Sequence, residues 1–211
     1  MYKNNILNRI ENTAIMAIVR VETLERAYEI ADGCLAGGVD VLEISYTLPN
    51  AGEIIKGLNE KYGARLLVGA GTVLDTETAR LAILAGAKFI IAPNYKEEVS
   101  RICNRYQVPY APGCTTISEM VDAMESGASM IKAFPISNYY GSQLGTVFKT
   151  PIPYMPIMAS GGVTIDNIIE WFENGIDCVG IGSLLTKGTS SQIEQNAREL
   201  VEKLREYRNK K

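Results

Sequence analysis

A single (β/α)8 barrel of the TIM type, an α/β fold preceded by a short N-terminal helix, is what this sequence predicts. Three features predict it: eight apolar runs, the amphipathic stretches between them, and a recurrent glycine. The runs are "AIMAIVR" (14–20), "DVLEISY" (40–46), "RLLVGAG" (65–71), "KFIIAP" (88–93), "VPYAPG" (108–113), "SMIKAF" (129–134), "YMPIMAS" (154–160) and "CVGIGS" (178–183). Short and bounded by turn residues, they read as buried strands. Stretches such as "TLERAYEIADGCLAGG" and "TIDNIIEWFENG" place apolar residues three and four apart, the helical period. "AGGVDVLEI", "AGAKFIIAP", "SGASMIKAF" and "NGIDCVGIG" then repeat one device, a glycine that ends a helix ahead of a short turn and a strand.

Strict alternation with continuously apolar strands implies a parallel sheet covered by helices. Spread over eight units, 211 residues allow about 26 each, enough for one strand and one helix. An open doubly wound sheet is the competing arrangement, but no extra strand or second domain stands out, so residues 1–211 are read as one barrel domain. The first 12 residues read as a helix capping the bottom of the barrel.

Composition narrows the function. With 46% hydrophobic and 21% charged residues, the chain is of ordinary globular type. A net charge of −3 argues against nucleic acid as a partner, because such binders concentrate basic surface. The one basic cluster, "KLREYRNKK", reads as a frayed, solvated helix end. No run approaches a membrane span, the start "MYKNNILNRIENT" is no signal peptide, and four cysteines lack CxxC spacing. A cytoplasmic protein with reduced thiols is expected. The chain has no histidine, so catalysis must run on lysine, carboxylates, tyrosine, cysteine or the backbone.

In a barrel of this type chemistry gathers at the C-terminal ends of the strands. Arg20 ends the first run and Glu43 lies late in the second. "GAGTV" follows the third, Pro93 and Asn94 end the fourth, "PGCTT" follows the fifth, and Lys132 lies late in the sixth. Period-two alternation puts Val41, Glu43 and Ser45 on one face, and Met130, Lys132 and Phe134 on one face. If the aliphatic neighbours pack under the helices, Glu43 and Lys132 both point into the barrel near its top. Two readings of this pair stand side by side: a buried ion pair that satisfies itself, or an amine kept reactive by burial with a carboxylate to move protons.

"SGGV" (160–163) and "GIGS" (180–183) follow the seventh and eighth runs, the usual anion-binding loops of such barrels. The first is expected to lead into a helix capped by Thr164. Trp171 reads as helix-packing core. Cys114 is placed near the pocket mouth but without a base to activate it. "NYYG" (138–141) is read as a lid or a contact to the distal end of a substrate, with core packing of Tyr139 or Tyr140 equally open.

Taken in order, "LEIS", "GAGTV", "APN", "PGC", "IKAFP", "SGGV" and "GIGS" resemble the 2-keto-3-deoxy-6-phosphogluconate and 4-hydroxy-2-oxoglutarate aldolase family, over nearly the whole chain. The resemblance implies a class I, Schiff-base aldolase that releases pyruvate, with Lys132 as imine-forming lysine and Glu43 as general acid and base. It implies that Thr72 contacts the pyruvyl carboxylate, that Pro93 and Phe134 line the pocket, and that Gly161, Gly162, Gly182 and Ser183 hold phosphate. It further implies no metal, no cofactor and a homotrimer, with a 2-keto-3-deoxy sugar-acid phosphate and pyruvate as small-molecule partners. One position departs: many members carry an arginine four residues after the glutamate, and here it is Thr47, which leaves Arg20 as the nearest basic replacement. "AIVR" without that arginine resembles the 2-keto-3-deoxy-6-phosphogalactonate branch. A phosphate-binding barrel without Schiff-base chemistry, such as a thiamine-phosphate synthase-like or epimerase-like enzyme, is the first rival, and a non-catalytic sugar-phosphate sensor is the second.

Overall fold

The computed structural model describes residues 2–210. Its strands are β1 (Ile15–Val19), β2 (Val41–Ser45), β3 (Leu67–Gly71), β4 (Ile90–Ile91), β5 (Tyr110–Ala111), β6 (Gly113–Cys114), β7 (Ile131–Ala133), β8 (Ile157–Ser160) and β9 (Cys178–Ile181). They form one sheet in the order β5-β4-β3-β2-β1-β9-β8-β7-β6, and each of the registered pairs is parallel. β5 and β6 belong to a single segment interrupted at Pro112, which has no N–H to give a ladder. That segment borders β4 on one side and β7 on the other, so the sheet's two ends meet in it and curl into a barrel. All eight predicted strand positions are present, the fifth of them split.

The helices are α1 (Tyr2–Thr13), α2 (Leu24–Ala36), α3 (Ala51–Tyr62), α4 (Thr76–Leu84), α5 (Glu97–Arg105), α6 (Ile117–Glu125), α7 (Ser137–Tyr140), α8 (Leu144–Lys149), α9 (Ile168–Glu173), α10 (Ser183–Thr186) and α11 (Ser190–Asn209). Thr23, Asp75, Thr116 and Thr189 cap the starts of α2, α4, α6 and α11 by accepting an N–H bond. The four repeated glycines, Gly38, Gly86, Gly127 and Gly175, have φ of 92, 100, 93 and 92°. Each therefore turns left-handed, which a side chain would resist.

Two apolar layers result. Ile30, Ile55, Val68, Ile90, Ile131 and Leu200 belong to the layer between strands and helices. A second cluster fills the barrel, with Met16, Val41, Leu67, Phe89, Met130 and Met158 from the strands and Ile6 and Ile10 from α1. α1 thus closes the bottom, as expected. Its last turn is held from outside: Arg208 donates to the carbonyls of Glu11 (2.8 Å) and Asn12 (2.5 Å). As far as it is described, to Lys210, the basic C-terminal stretch is accordingly no frayed end. α11 runs through it to Asn209, because the guanidinium satisfies carbonyls that α1 leaves open.

No helix among the described residues is long and apolar enough to cross a membrane. Because Ile10 plugs the barrel, Ile10→Ala should lower unfolding free energy by about 2–4 kcal/mol. Urea denaturation followed by circular dichroism checks this, and a change under about 0.5 kcal/mol, the scale of a surface site, would contradict the plug.

Candidate active site

Alternation along β2 and β7 sets the centre of the site. Val41 and Met130 lie in the inner cluster, so Glu43 and Lys132, one pleat higher, share that inward face. Glu43 is 0% exposed and Lys132 6%. Lys132 Nζ lies 4.0 Å from Glu43 Oε1. The Phe134 ring covers the amine, its centroid 5.3 Å from Nζ. Neither oxygen of the Glu43 carboxylate has a hydrogen-bond partner among the described residues. A structural ion pair in a barrel core would be expected to saturate its acceptors. Both oxygens of this carboxylate are instead left open among the described residues.

Glycines make the space. A Cβ on Gly71 would stand 1.7 Å from Glu43 Oε1, so the side chain of Glu43 occupies the room that β3 leaves empty. On β6, Gly113 is in register with Lys132, and a Cβ there would strike the Pro93 carbonyl at 2.2 Å. Pro93 therefore closes against the lysine's neighbouring strand. Pro112 contributes as well, its carbonyl accepting from the Lys132 N–H at 2.8 Å.

A row of hydroxyls borders the pair. Ser45 Oγ is 2.9 Å from Thr72 Oγ1 and 3.3 Å from Thr47 Oγ1. Thr72 is held at φ 57°, a conformation that a β-branched residue resists. Such strain persists where surrounding structure imposes it, commonly at functional sites. Arg20 follows β1 and is exposed, with no ion pair among the described residues. Alternation places it one pleat above Ile18, which is in register with Glu43. For Ser45 the sequence offers one signal, the strand face that it shares with Glu43.

The glycine loops form the other part. Gly161 (φ 102°), Gly162 (φ 78°), Gly182 and Ser183 line one cleft of about 1090 Å³. Lys132 and Glu43 do not line it. They lie deeper in the barrel, linked to it through β8, where Met158 is in register with Lys132 and Ser160, two residues on, leads into Gly161. Ser137 Oγ donates to the Ser160 carbonyl at 2.5 Å, and the Asn138 carboxamide rests on Gly161. The segment after the lysine strand is thereby tied to the glycine turn.

Two expectations are corrected, and one open reading is narrowed. Thr164 does not cap a helix directly: it exchanges bonds with Asn167 in a turn (2.8 and 3.2 Å), and α9 begins only at Ile168. Cys114 is not at the mouth. It is buried in the layer beneath the helices, and burial pushes its thiol up to about 12, so it stays protonated. Of the two tyrosines left open, neither is core: Tyr139 is 82% exposed, and Tyr140, 45% exposed, packs edge-on against Phe148 at 5.5 Å. Trp171 is buried as expected, its Nε1 donating to Asn167 Oδ1 at 3.3 Å. Among the described residues no group of three or more His, Cys, Asp and Glu stands together as a metal site.

Fold and site together define a barrel enzyme with a lysine–glutamate centre at the C-terminal ends of its strands. The chain belongs to the KDPG and KHG aldolase family, whose model matches residues 6–204. It is 32% identical over 195 residues to the 2-dehydro-3-deoxy-6-phosphogalactonate aldolase of Escherichia coli K12, covering 92% of this chain and 94% of that one. A solved structure described as native KDPGal superposes with TM-score 0.86 at 32% identity, covering 92% and 96%. KDPG aldolase from Legionella pneumophila, with pyruvate captured as a covalent carbinolamine, superposes with TM-score 0.76 at 25% identity, covering 89% and 90%.

Gly71→Ala should cost about 100-fold in turnover by displacing Glu43, with the far-ultraviolet circular dichroism retained. Wild-type turnover in this variant would show that the carboxylate's position is not critical.

Proposed function

We propose that this chain is a metal-independent, class I aldolase that reversibly cleaves 2-keto-3-deoxy-6-phosphogluconate to pyruvate and glyceraldehyde 3-phosphate, and also 4-hydroxy-2-oxoglutarate to pyruvate and glyoxylate. The observation that carries it is the buried Lys132–Glu43 pair, 4.0 Å apart, whose carboxylate is otherwise unpartnered among the described residues. The carbinolamine captured in the Legionella relative supports the same chemistry here.

One proton shared by the pair suffices for the cycle. Attack of the unprotonated Lys132 amine on the C2 ketone gives a carbinolamine, with the proton on Glu43. Glu43 gives that proton to the departing hydroxyl, water leaves, and the iminium remains. The Glu43 carboxylate then takes the C4 hydroxyl proton. The C3–C4 bond breaks, its electron pair passes into the iminium to form the enamine, and the aldehyde departs. Glu43 returns the proton to C3, and water hydrolyses the iminium to pyruvate and free Lys132. The iminium is the electron sink, and general acid–base assistance of this kind contributes about 10²–10⁴-fold.

Around this centre Thr72, with Ser45 behind it, and Arg20 receive the pyruvyl carboxylate, Thr47 standing where many members have arginine. Phe134 and Pro93 wall the pyruvyl end. Gly161, Gly162, Gly182 and Ser183 take the phosphate, where backbone N–H groups can approach an anion closely. The second reading for the sugar acid is the 6-phosphogalactonate epimer, favoured by the 32% identical relative of that activity and by Thr47. The same reading carries a homotrimer in the cytoplasm.

Borohydride reduction in the presence of pyruvate should attach the reduced pyruvyl group to Lys132, read by peptide mass spectrometry. An unmodified Lys132 in enzyme that turns over would sink the mechanism, and would favour a barrel without Schiff-base chemistry. Lys132→Ala should abolish cleavage, and Glu43→Gln should slow it about 100-fold with a smaller effect on pyruvate binding. A pyruvate-release assay comparing kcat/KM for the two epimers and 4-hydroxy-2-oxoglutarate assigns the substrate. Binding without turnover of any of them would mark a sensor.

A further inference from the structure

We infer that Lys187 reads the charge of the substrate's phosphate and so sets the preference for phosphorylated over unphosphorylated 4-hydroxy-2-oxo acids. The inference rests on the aldolase reading above and adds to it a residue that decides specificity. The cleft lined by the two glycine loops does not end with them. It continues past Lys187 and Gly188 to the first turns of α11.

Backbone N–H groups and a serine hydroxyl can hold phosphate oxygens, but they bring no net charge to set against a dianion. The cleft wall also carries Asp166, whose carboxylate opposes an anion, with Lys203 3.9 Å from it. Among the described residues lining the cleft, Lys187 is the one cation. Three polar side chains on the α11 side of that wall are already engaged. Gln192 Oε1 accepts from the Thr189 N–H at 2.8 Å, Asn196 Nδ2 donates to the Leu184 carbonyl at 2.9 Å, and Gln195 Nε2 donates to Glu199 at 3.2 Å. The Lys187 side chain is exposed and has no such partner among the described residues.

Its loop is held in place. Arg26, on α2, donates from Nη2 to the Thr186 carbonyl at 2.9 Å and to the Gly188 carbonyl at 2.7 Å, one on each side of Lys187. The Lys187 N–H donates to the Ser183 carbonyl at 2.9 Å, which closes α10. Gly188, at φ 86°, then turns the chain into the capped start of α11. The lysine stem therefore springs from a fixed point on the cleft wall. A flexible stem with a compact ammonium suits a phosphate, whose oxygens present charge in several directions.

Lys187→Gln removes the charge and keeps much of the length. The ratio of kcat/KM for the phosphorylated hexonate to that for 4-hydroxy-2-oxoglutarate should fall about tenfold, mainly through KM, and Lys187→Arg should restore most of it. Calorimetry with inorganic phosphate should show binding weakened by a similar factor in Lys187→Gln. Added salt should weaken phosphate binding more in wild type than in this variant. Equal losses on both substrates, or phosphate binding unchanged in Lys187→Gln, would overturn the inference. A wild type that binds phosphate through Lys187 yet neither cleaves these acids nor traps pyruvate would overturn the aldolase reading while leaving this assignment standing.

Discussion

A carboxylate and an amine buried together in the mouth of an apolar barrel are the constraint on which the rest of the structure depends. Removing such groups from water costs several kcal/mol each unless they are paired. Here the pairing is loose, at 4.0 Å, and Glu43 has no other hydrogen-bond partner among the described residues. The fold must therefore hold the two side chains by packing. It does so with an apolar plug of Met16, Val41, Phe89, Met130 and Met158 below, closed by α1, and with the Phe134 ring beside the amine. Gly71 supplies the volume that Glu43 occupies.

The same constraint explains the break in the fifth strand. A regular strand from Tyr110 to Cys114 would need an N–H at position 112 and a side chain at position 113. Proline gives up the first, and Gly113 gives up the second so that the Pro93 backbone can close in. What survives is the Pro112 carbonyl, bonded to the backbone N–H of Lys132. The sheet sacrifices regularity at the seam where its two ends meet, next to the lysine. Thr72, held left-handed opposite Ser45, is a second local concession at the same rim.

Burial distinguishes the two parts of the site. The lysine–glutamate pair is buried in the barrel, whereas the glycine loops open on a broad cleft that the pair does not line. Ser137 and Asn138, immediately after the lysine strand, bind the two regions together through Ser160 and Gly161. The spacing between the buried pair and the glycine loops is thus set by short local contacts.

Much of this was legible in the sequence because the signals are periodic or steric. Alternation within single strands placed Glu43 and Lys132 on inward faces, and the four glycines that end helices stand at the left-handed turns expected of them. A family resemblance could attach roles to Thr72, Pro93 and the glycine loops for the same reason, since their residue types are required by local backbone geometry. Cys114, Thr164 and the C-terminal basic stretch were misplaced. Which layer a cysteine faces, where a turn yields to a helix, and whether an arginine meets two open carbonyls at the far end of the chain depend on partners distant in sequence. The sequence by itself determined the barrel, its inward faces and the lysine and glutamate that those faces carry, because strand period and glycine stereochemistry are local properties. Only the tertiary structure decided the 4.0 Å separation, the unpartnered carboxylate, the fit of Glu43 over Gly71 and the Arg26 clamp beside Lys187, because each is a meeting of segments that no local rule brings together.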